Sequence, residues 1–206
     1  MTRQMAATRG NPVKNTSARL ASFGLEDAPP VPLADVPGAE REREAASETL
    51  HVLTTLEEVR TATQTVAASG QRLISIMTPD LEPDIYDQAA LLDIIKRFVL
   101  GHSFAKVRVL VRDQPRLVSG ANHFVAMAHR LTSYLEIRVR SAQYQALAAA
   151  YCIADDRAIV YRLRADRAEG IAGFNNPPIA RQFLQEFDAV WQASAAEPRE
   201  VRVARR

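Results

Sequence analysis

From Leu50 onward, apolar residues recur with two alternating periods, and the points where the period switches lay out a succession of strands and helices. Leu50 to Leu53 reads as a short strand. Thr54, followed three residues later by Glu57, makes a capping box that opens a helix with Leu56, Val59, Thr63 and Val66 on one face, and Gly70 ends it. Arg72 to Met77 forms an apolar strand that Pro79 stops. Pro83 suits the first turn of the next helix, in which Ile85, Leu91, Leu92, Ile95, Phe98 and Val99 give a broad apolar face and Gly101 a stop. Val107, Val109 and Val111 alternate with Lys106 and Arg108 in a third strand, and a helix through Phe124, Met127, Ala128 and Leu131 follows. Leu135–Arg140 alternates strictly, which predicts a strand with one wet face or a place at a sheet edge.

Strands separated by helices imply crossovers and a mainly parallel sheet. The pattern then changes. Ala148–Ala154 and Arg157–Leu163 are strand-like runs joined only by Asp155-Asp156, which predicts a hairpin added to that sheet. Asn175-Asn176-Pro177-Pro178 opens a closing helix whose Ile179, Phe183, Phe187, Val190 and Trp191 recur at helical spacing, placing the sole Trp in the core. The expected fold class is α/β, with helices flanking a mainly parallel sheet, a C-terminal hairpin and a closing helix.

Composition sets the boundaries of this domain at residues 48–195. Residues 1–47 lack periodicity and are rich in Ala, Pro, Ser and Thr, with Pro29-Pro30-Val31-Pro32 and Pro37 blocking regular structure, so a disordered leader or linker is expected. The net charge of +2 comes from the end of the chain. The leader holds six basic and six acidic residues and the core sixteen of each, so the excess lies in residues 196–206, where Arg199, Arg202, Arg205 and Arg206 face Glu197 and Glu200. Such a basic tail can touch nucleic acid or an anionic surface by charge alone. No apolar run is long enough to span a bilayer, and a cytosolic protein is expected. Cys152 is the only cysteine, which excludes an intramolecular disulfide and a cysteine-based zinc site; within its apolar run it reads as a buried, inert thiol.

The order β-α-β-α-β-α-β, then hairpin, then closing helix, over residues 48–195, resembles one half of the phospholipase D-like fold. It also resembles an uncharacterised bacterial family of degenerate domains of that kind, some of whose members are joined to GNAT acetyltransferase domains. The active enzymes of that superfamily carry H-x-K-x4-D-x6-G-S-x-N, because phosphodiester cleavage needs a His nucleophile, a Lys to neutralise phosphate oxygens and an Asn to hold them. Placing Asp155 on the motif's Asp puts Ala148 in the His slot, Ala150 in the Lys slot and Arg162 in the Gly slot. Placing Asp156 there gives Ala149, Tyr151 and Leu163. Both registers lack the chemistry, and none of His51, His102, His123 and His129 precedes a lysine by two. The resemblance therefore implies a scaffold without catalytic residues, metal or cofactor, serving as a binding or interaction module. Because the superfamily's enzymes often need two half-units face to face, it also implies a homodimer or a protein partner.

Asp80, Glu82, Asp84 and Asp87 cluster beyond the second strand, and Arg112 with Asp113 lies beyond the third; ligands of parallel α/β sheets collect at that edge, although acids also favour a helix's first turn for its own sake. Asp80, Tyr86, Asp87, Arg112 and Asp113 are thus candidate ligand-binding residues for a cation or a basic ligand, with Tyr86 as a wall. Tyr144 is a candidate lining residue near the degenerate motif, at which Asp155 and Asp156 also suit a tight turn. Arg167-Ala168-Glu169-Gly170-Ile171-Ala172 matches the R-x-x-G-x-A loop with which GNAT acetyltransferases hold coenzyme A. There the loop must lead straight into a helix, whereas here Gly173 to Pro178 intervene. An acetyltransferase, an acyltransferase-associated role, a phosphodiesterase or nuclease with an unrecognised nucleophile, and a nucleic-acid binder acting through the tail are the alternative functions.

Overall fold

A computed structural model of the chain describes residues 49–112 and 122–195, so the expected leader, the basic tail and Asp113 lie outside the described residues. The elements in chain order are β1 (His51–Leu53), α1 (Leu56–Ser69), β2 (Leu73–Thr78), α2 (Pro83–Tyr86), α3 (Ala89–Gly101), β3 (Lys106–Val111), α4 (His123–Arg130), β4 (Leu135–Val139), a single 3-10 turn (Ala142–Tyr144), β5 (Ala150–Ala154), β6 (Ala158–Arg162), β7 (Gly170–Gly173) and α5 (Pro177–Ala195). No helix among the described residues is long and apolar enough to cross a membrane.

Three local readings shift. The capping box sits one residue later than expected, on Thr55 and Glu58: the Thr55 hydroxyl accepts from the Glu58 N–H at 3.2 Å while the Glu58 carboxylate accepts from the N–H groups of Thr54 and Thr55. The helix expected from Pro83 to Gly101 is two helices, because Gln88 adopts an extended conformation, φ −89° and ψ 134°, as the cap of α3. The segment that matched the coenzyme A loop runs into β7, a strand that periodicity did not mark.

The seven strands form one sheet in the order β1-β7-β6-β5-β2-β3-β4. It is mixed and not mainly parallel. Only β2, β3 and β4, which helices separate, pair in parallel; β5, β6 and β7 are joined by connections too short for a crossover and run antiparallel, as does the pairing of β1 with β7. The hairpin is no marginal addition, for β5 pairs antiparallel with β2 in the middle of the sheet. β4 lies at the edge that its alternation predicted.

Successive side chains on the central strands feed two cores. On one face α1, α2, α3 and α4 pack against Ile74, Ile76, Val107, Val109, Cys152 and Val160; on the other α5 packs against Met77, Leu110, Tyr151, Ile153, Ile159 and Tyr161. That is why β2, β5 and β6 read as continuous apolar runs. Phe183, Phe187 and Trp191 anchor α5, each burial contributing roughly 1.5–3 kcal/mol. Two arginines finish this contact: Arg138 lies 4.0 Å from the Trp191 ring centre, and Arg108 sits 5.0 Å from that of Phe187 while pairing with Asp188 at 2.8 Å.

Candidate functional site

Ala150 and Arg162, two positions that the motif comparison singled out, lie at the end of the sheet where β2 finishes. Ala150 pairs with Arg162 across the hairpin, and one step beyond the Met77–Tyr151 pair it stands beside Thr78. Ala150 is buried, and the side chain of Arg162 is only 5% exposed. An arginine closing a fully buried strand needs a carboxylate, and Glu82 supplies it: one guanidinium nitrogen donates to both Glu82 oxygens at 2.7 Å, while the other nitrogen donates to the carbonyls of Ala165 and Arg167 at 2.7 and 3.1 Å. The Thr78 hydroxyl adds a bond of 3.0 Å to the same carboxylate. Burial pushes the Glu82 carboxyl above its ordinary value of 4.5 and outweighs the opposing pull of Arg162.

The turn before α2 aims Glu82 inward. Leu81 has φ 58°, a left-handed conformation uncommon for a bulky residue, and its side chain is fully buried. Tyr86, in α2, is buried below, where loss of solvent drives its hydroxyl well above 10.0, with Cys152 and Glu82 adding to the effect. Burial likewise pushes the Cys152 thiol up to about 12, in keeping with an inert side chain.

Over this pair opens a cleft of about 400 Å³, lined among others by Asp80, Glu82, Asp84, Arg162, Asp166 and Arg167. Its charges are largely matched locally, since Asp84 meets Arg60 at 3.6 Å and Asp166 meets Arg164 at 2.6 Å. On the α5 side of the same sheet end, buried Arg140 donates to the carbonyls of Leu147 at 2.9 Å and Thr78 at 3.4 Å.

Among the described residues, the predicted site residues fall in several different places. Asp80 lines the cleft, and Arg112 is held next to it by its N–H bond to the Pro79 carbonyl. Tyr86 forms part of the core beneath and no open wall. Asp87 turns away to α4, where its carboxylate accepts from the N–H of His123 at 2.8 Å and faces the His123 ring at 3.3 Å. Tyr144 packs into the core on the opposite face of the sheet, with Tyr151 and Phe183. No group of three or more His, Cys, Asp or Glu among the described residues is arranged to hold a metal ion.

Asp155 and Asp156 have separate tasks. Asp155, at φ 53°, occupies the tip of the β5–β6 hairpin and its carboxylate accepts from the N–H groups of Gln71, Arg72 and Leu73 at 2.9–3.0 Å, tying the hairpin to the start of β2. Asp156 pairs with Arg181 of α5 at 2.7 Å. Gly170 has a packing role: a Cβ there would lie 2.5 Å from the Tyr161 carbonyl oxygen. Asn176 caps the closing helix by accepting from the N–H of Ile179 at 3.3 Å, whereas the Asn175 side chain accepts from the Arg157 guanidinium at 3.2 and 3.3 Å.

In the sequence Arg162 stood out only as a substitute for the motif's glycine, and Glu82 only as one acid of the cluster beyond the second strand. The available signal was the charge itself, because Ile159-Val160-Tyr161 ends abruptly in an arginine on a strand otherwise buried on both faces.

A family model described as Domain of unknown function (DUF7931) matches residues 55–203. No curated protein matches the chain. Among solved structures, the chain is similar to TrmBL2, an archaeal chromatin protein whose structure shows a novel mode of DNA binding, at 15% identity and a TM-score of 0.49 over 77% of this chain and 54% of that one. It is also similar to NucT from Helicobacter pylori, at 11% identity and a TM-score of 0.48 over 70% of this chain and 96% of that one. The chain thus spans about half the length of TrmBL2.

Proposed function

The chain belongs to the DUF7931 family, and within it we propose that this domain is a non-catalytic binding or interaction module on a degenerate phospholipase D-like scaffold. The observation that carries the reading is the bidentate Arg162–Glu82 pair beside Ala150. In the register set on Asp155, alanines stand where the superfamily's motif would place a nucleophile and a phosphate-neutralising lysine, and the arginine paired with Ala150 across the hairpin is bound to an internal carboxylate. A guanidinium so held is a structural group, since a phosphate would have to displace a partner that is already bidentate and two backbone carbonyls.

Three of the four histidines have partners elsewhere: the rings of His51 and Phe174 lie 5.2 Å apart at a tilt of 48°, the Nδ1 of His102 is 3.0 Å from the Phe98 carbonyl, and His123 faces Asp87. What remains for recognition at this end is the cleft bounded by Asp80, Asp84, Asp166 and Arg167.

The test is hydrolysis of bis(p-nitrophenyl) phosphate by the purified full chain. The expected result is nitrophenolate release at the rate of buffer alone. Turnover that disappears when His51, His102, His123 or His129 is replaced by alanine would overturn the reading.

A further inference from the structure

β4 carries, on its open side, a backbone and charge pattern that is complementary to itself. The Val107 N–H donates to the Tyr134 carbonyl at 2.7 Å and the Arg140 N–H to the Val111 carbonyl at 2.8 Å. With the parallel register running from Val107–Leu135 to Val111–Val139, these bonds turn the backbone groups of Glu136 and Arg138 toward β3 and those of Leu135, Ile137 and Val139 outward. The Leu135 N–H is used by the Leu131 carbonyl at 2.9 Å. The Leu135 carbonyl and both backbone groups of Ile137 and Val139 therefore face the edge, beyond which no further strand lies among the described residues.

The side chains divide by face. Leu135, Ile137 and Val139 join the core under the four helices, whereas Arg138 reaches over Trp191 and pairs with Glu136 at 2.6 Å on the α5 side. Leu-Glu-Ile-Arg-Val reads the same in chemical character from either end except that the charge inverts, and this is the symmetry an antiparallel two-fold requires.

We propose that β4 pairs antiparallel with β4 of a second copy of this chain, about a two-fold axis at Ile137. Each Ile137 then exchanges both backbone bonds with its counterpart, and each Val139 N–H meets the Leu135 carbonyl of the other copy. Glu136 stands opposite Arg138 of the second copy in a non-hydrogen-bonded pair, where side chains approach most closely. Leu135 meets Val139 on the other face, extending the apolar layer. Pairing shifted by one residue would set charges opposite apolar side chains, so the pattern selects both the partner and the register. This edge is remote in function from the Arg162–Glu82 pair, and the proposal does not depend on whether the domain is catalytic.

The test is the mass of the full chain by sedimentation equilibrium, with two variants that leave the backbone bonds between β4 and β3 intact. Ile137→Pro removes an N–H that no internal bond uses. Glu136→Arg sets like charges opposite each other at two places. The wild-type chain is expected to dimerise, with Glu136→Arg weakening association about tenfold or more and Ile137→Pro abolishing it. Arg138→Glu chains should restore the dimer when mixed with Glu136→Arg chains, since both ion pairs then re-form in the mixed species. A monomeric wild-type chain, or a dimer that neither Ile137→Pro nor Glu136→Arg disturbs while both variants keep the wild-type circular dichroism, would overturn the proposal.

Discussion

Arg162 and Glu82, eighty residues apart, form a bidentate ion pair with both nitrogen–oxygen distances at 2.7 Å at the end of the sheet. The pair joins the last residue of β6 to the turn that leads from β2 into α2, and so holds the hairpin and the parallel strands at one height.

Removing one partner leaves the other desolvated. Arg162→Met or Glu82→Leu alone should destabilise the fold by about 3 kcal/mol, whereas the two apolar replacements together should cost much less. Urea denaturation of the two single and one double variants, analysed as a cycle, measures the coupling.

The pH dependence has opposing contributions. The Glu82 carboxyl is raised above its ordinary 4.5, so its contribution to stability is full below that value and is lost as pH rises through the folded-state value. Asp156 is lowered from 3.8 by its hydrogen bond to Arg181, so its contribution is present above 3.8 and lost on further acidification. Denaturant midpoints of wild type and Glu82→Gln across the acid range should therefore diverge as pH rises above 4.5, with the wild type losing ground to the variant. Parallel curves would contradict the assigned burial of Glu82.

Asp155 tests the tie between the hairpin and β2. Asp155→Ala removes an acceptor for three backbone N–H groups and should cost about 2 kcal/mol. Asp155→Asn keeps an acceptor oxygen and tolerates the positive φ, so its cost should be smaller. Amide hydrogen exchange at Gln71, Arg72 and Leu73 should accelerate in Asp155→Ala ahead of the rest of the sheet.

Gly170 separates a packed strand from a ligand-binding loop. Because an added Cβ would press on the Tyr161 carbonyl and on the Arg162 side chain, Gly170→Ala should destabilise by about 2 kcal/mol. Its melting temperature should fall by about 5 °C, and a coenzyme A thioester should leave the melting temperature of either protein unchanged. Retention of the wild-type melting temperature would show that the strand has room to move.

The residues through which the fold and the candidate site became legible differ in kind. Val107, Val109 and Val111, or Phe183, Phe187 and Trp191, announce their elements because a strand repeats every two residues and a helix every 3.6, so a buried face leaves a local imprint. β7 left none: Gly170-Ile171-Ala172-Gly173 is short, and its place was decided by pairing with β1 and β6 on either side. The edge position of β4 was visible in its alternating charge, whereas the antiparallel insertion of β5 beside β2 was not, because strand order depends on contacts between distant segments.

The α/β class, most of the helices and strands, the hairpin and the burial of Cys152 and Trp191 could be read from the order of residues alone. The mixed sheet, the division of Tyr86 and Tyr144 between opposite faces, the bond of Asp87 to the start of α4 and the union of Glu82 with Arg162 emerge once the layers are assembled. The reason is physical: periodicity is written into neighbouring residues, but the partner of a buried charge is settled by which side chains are removed from water together, and that is a property of the assembled layers.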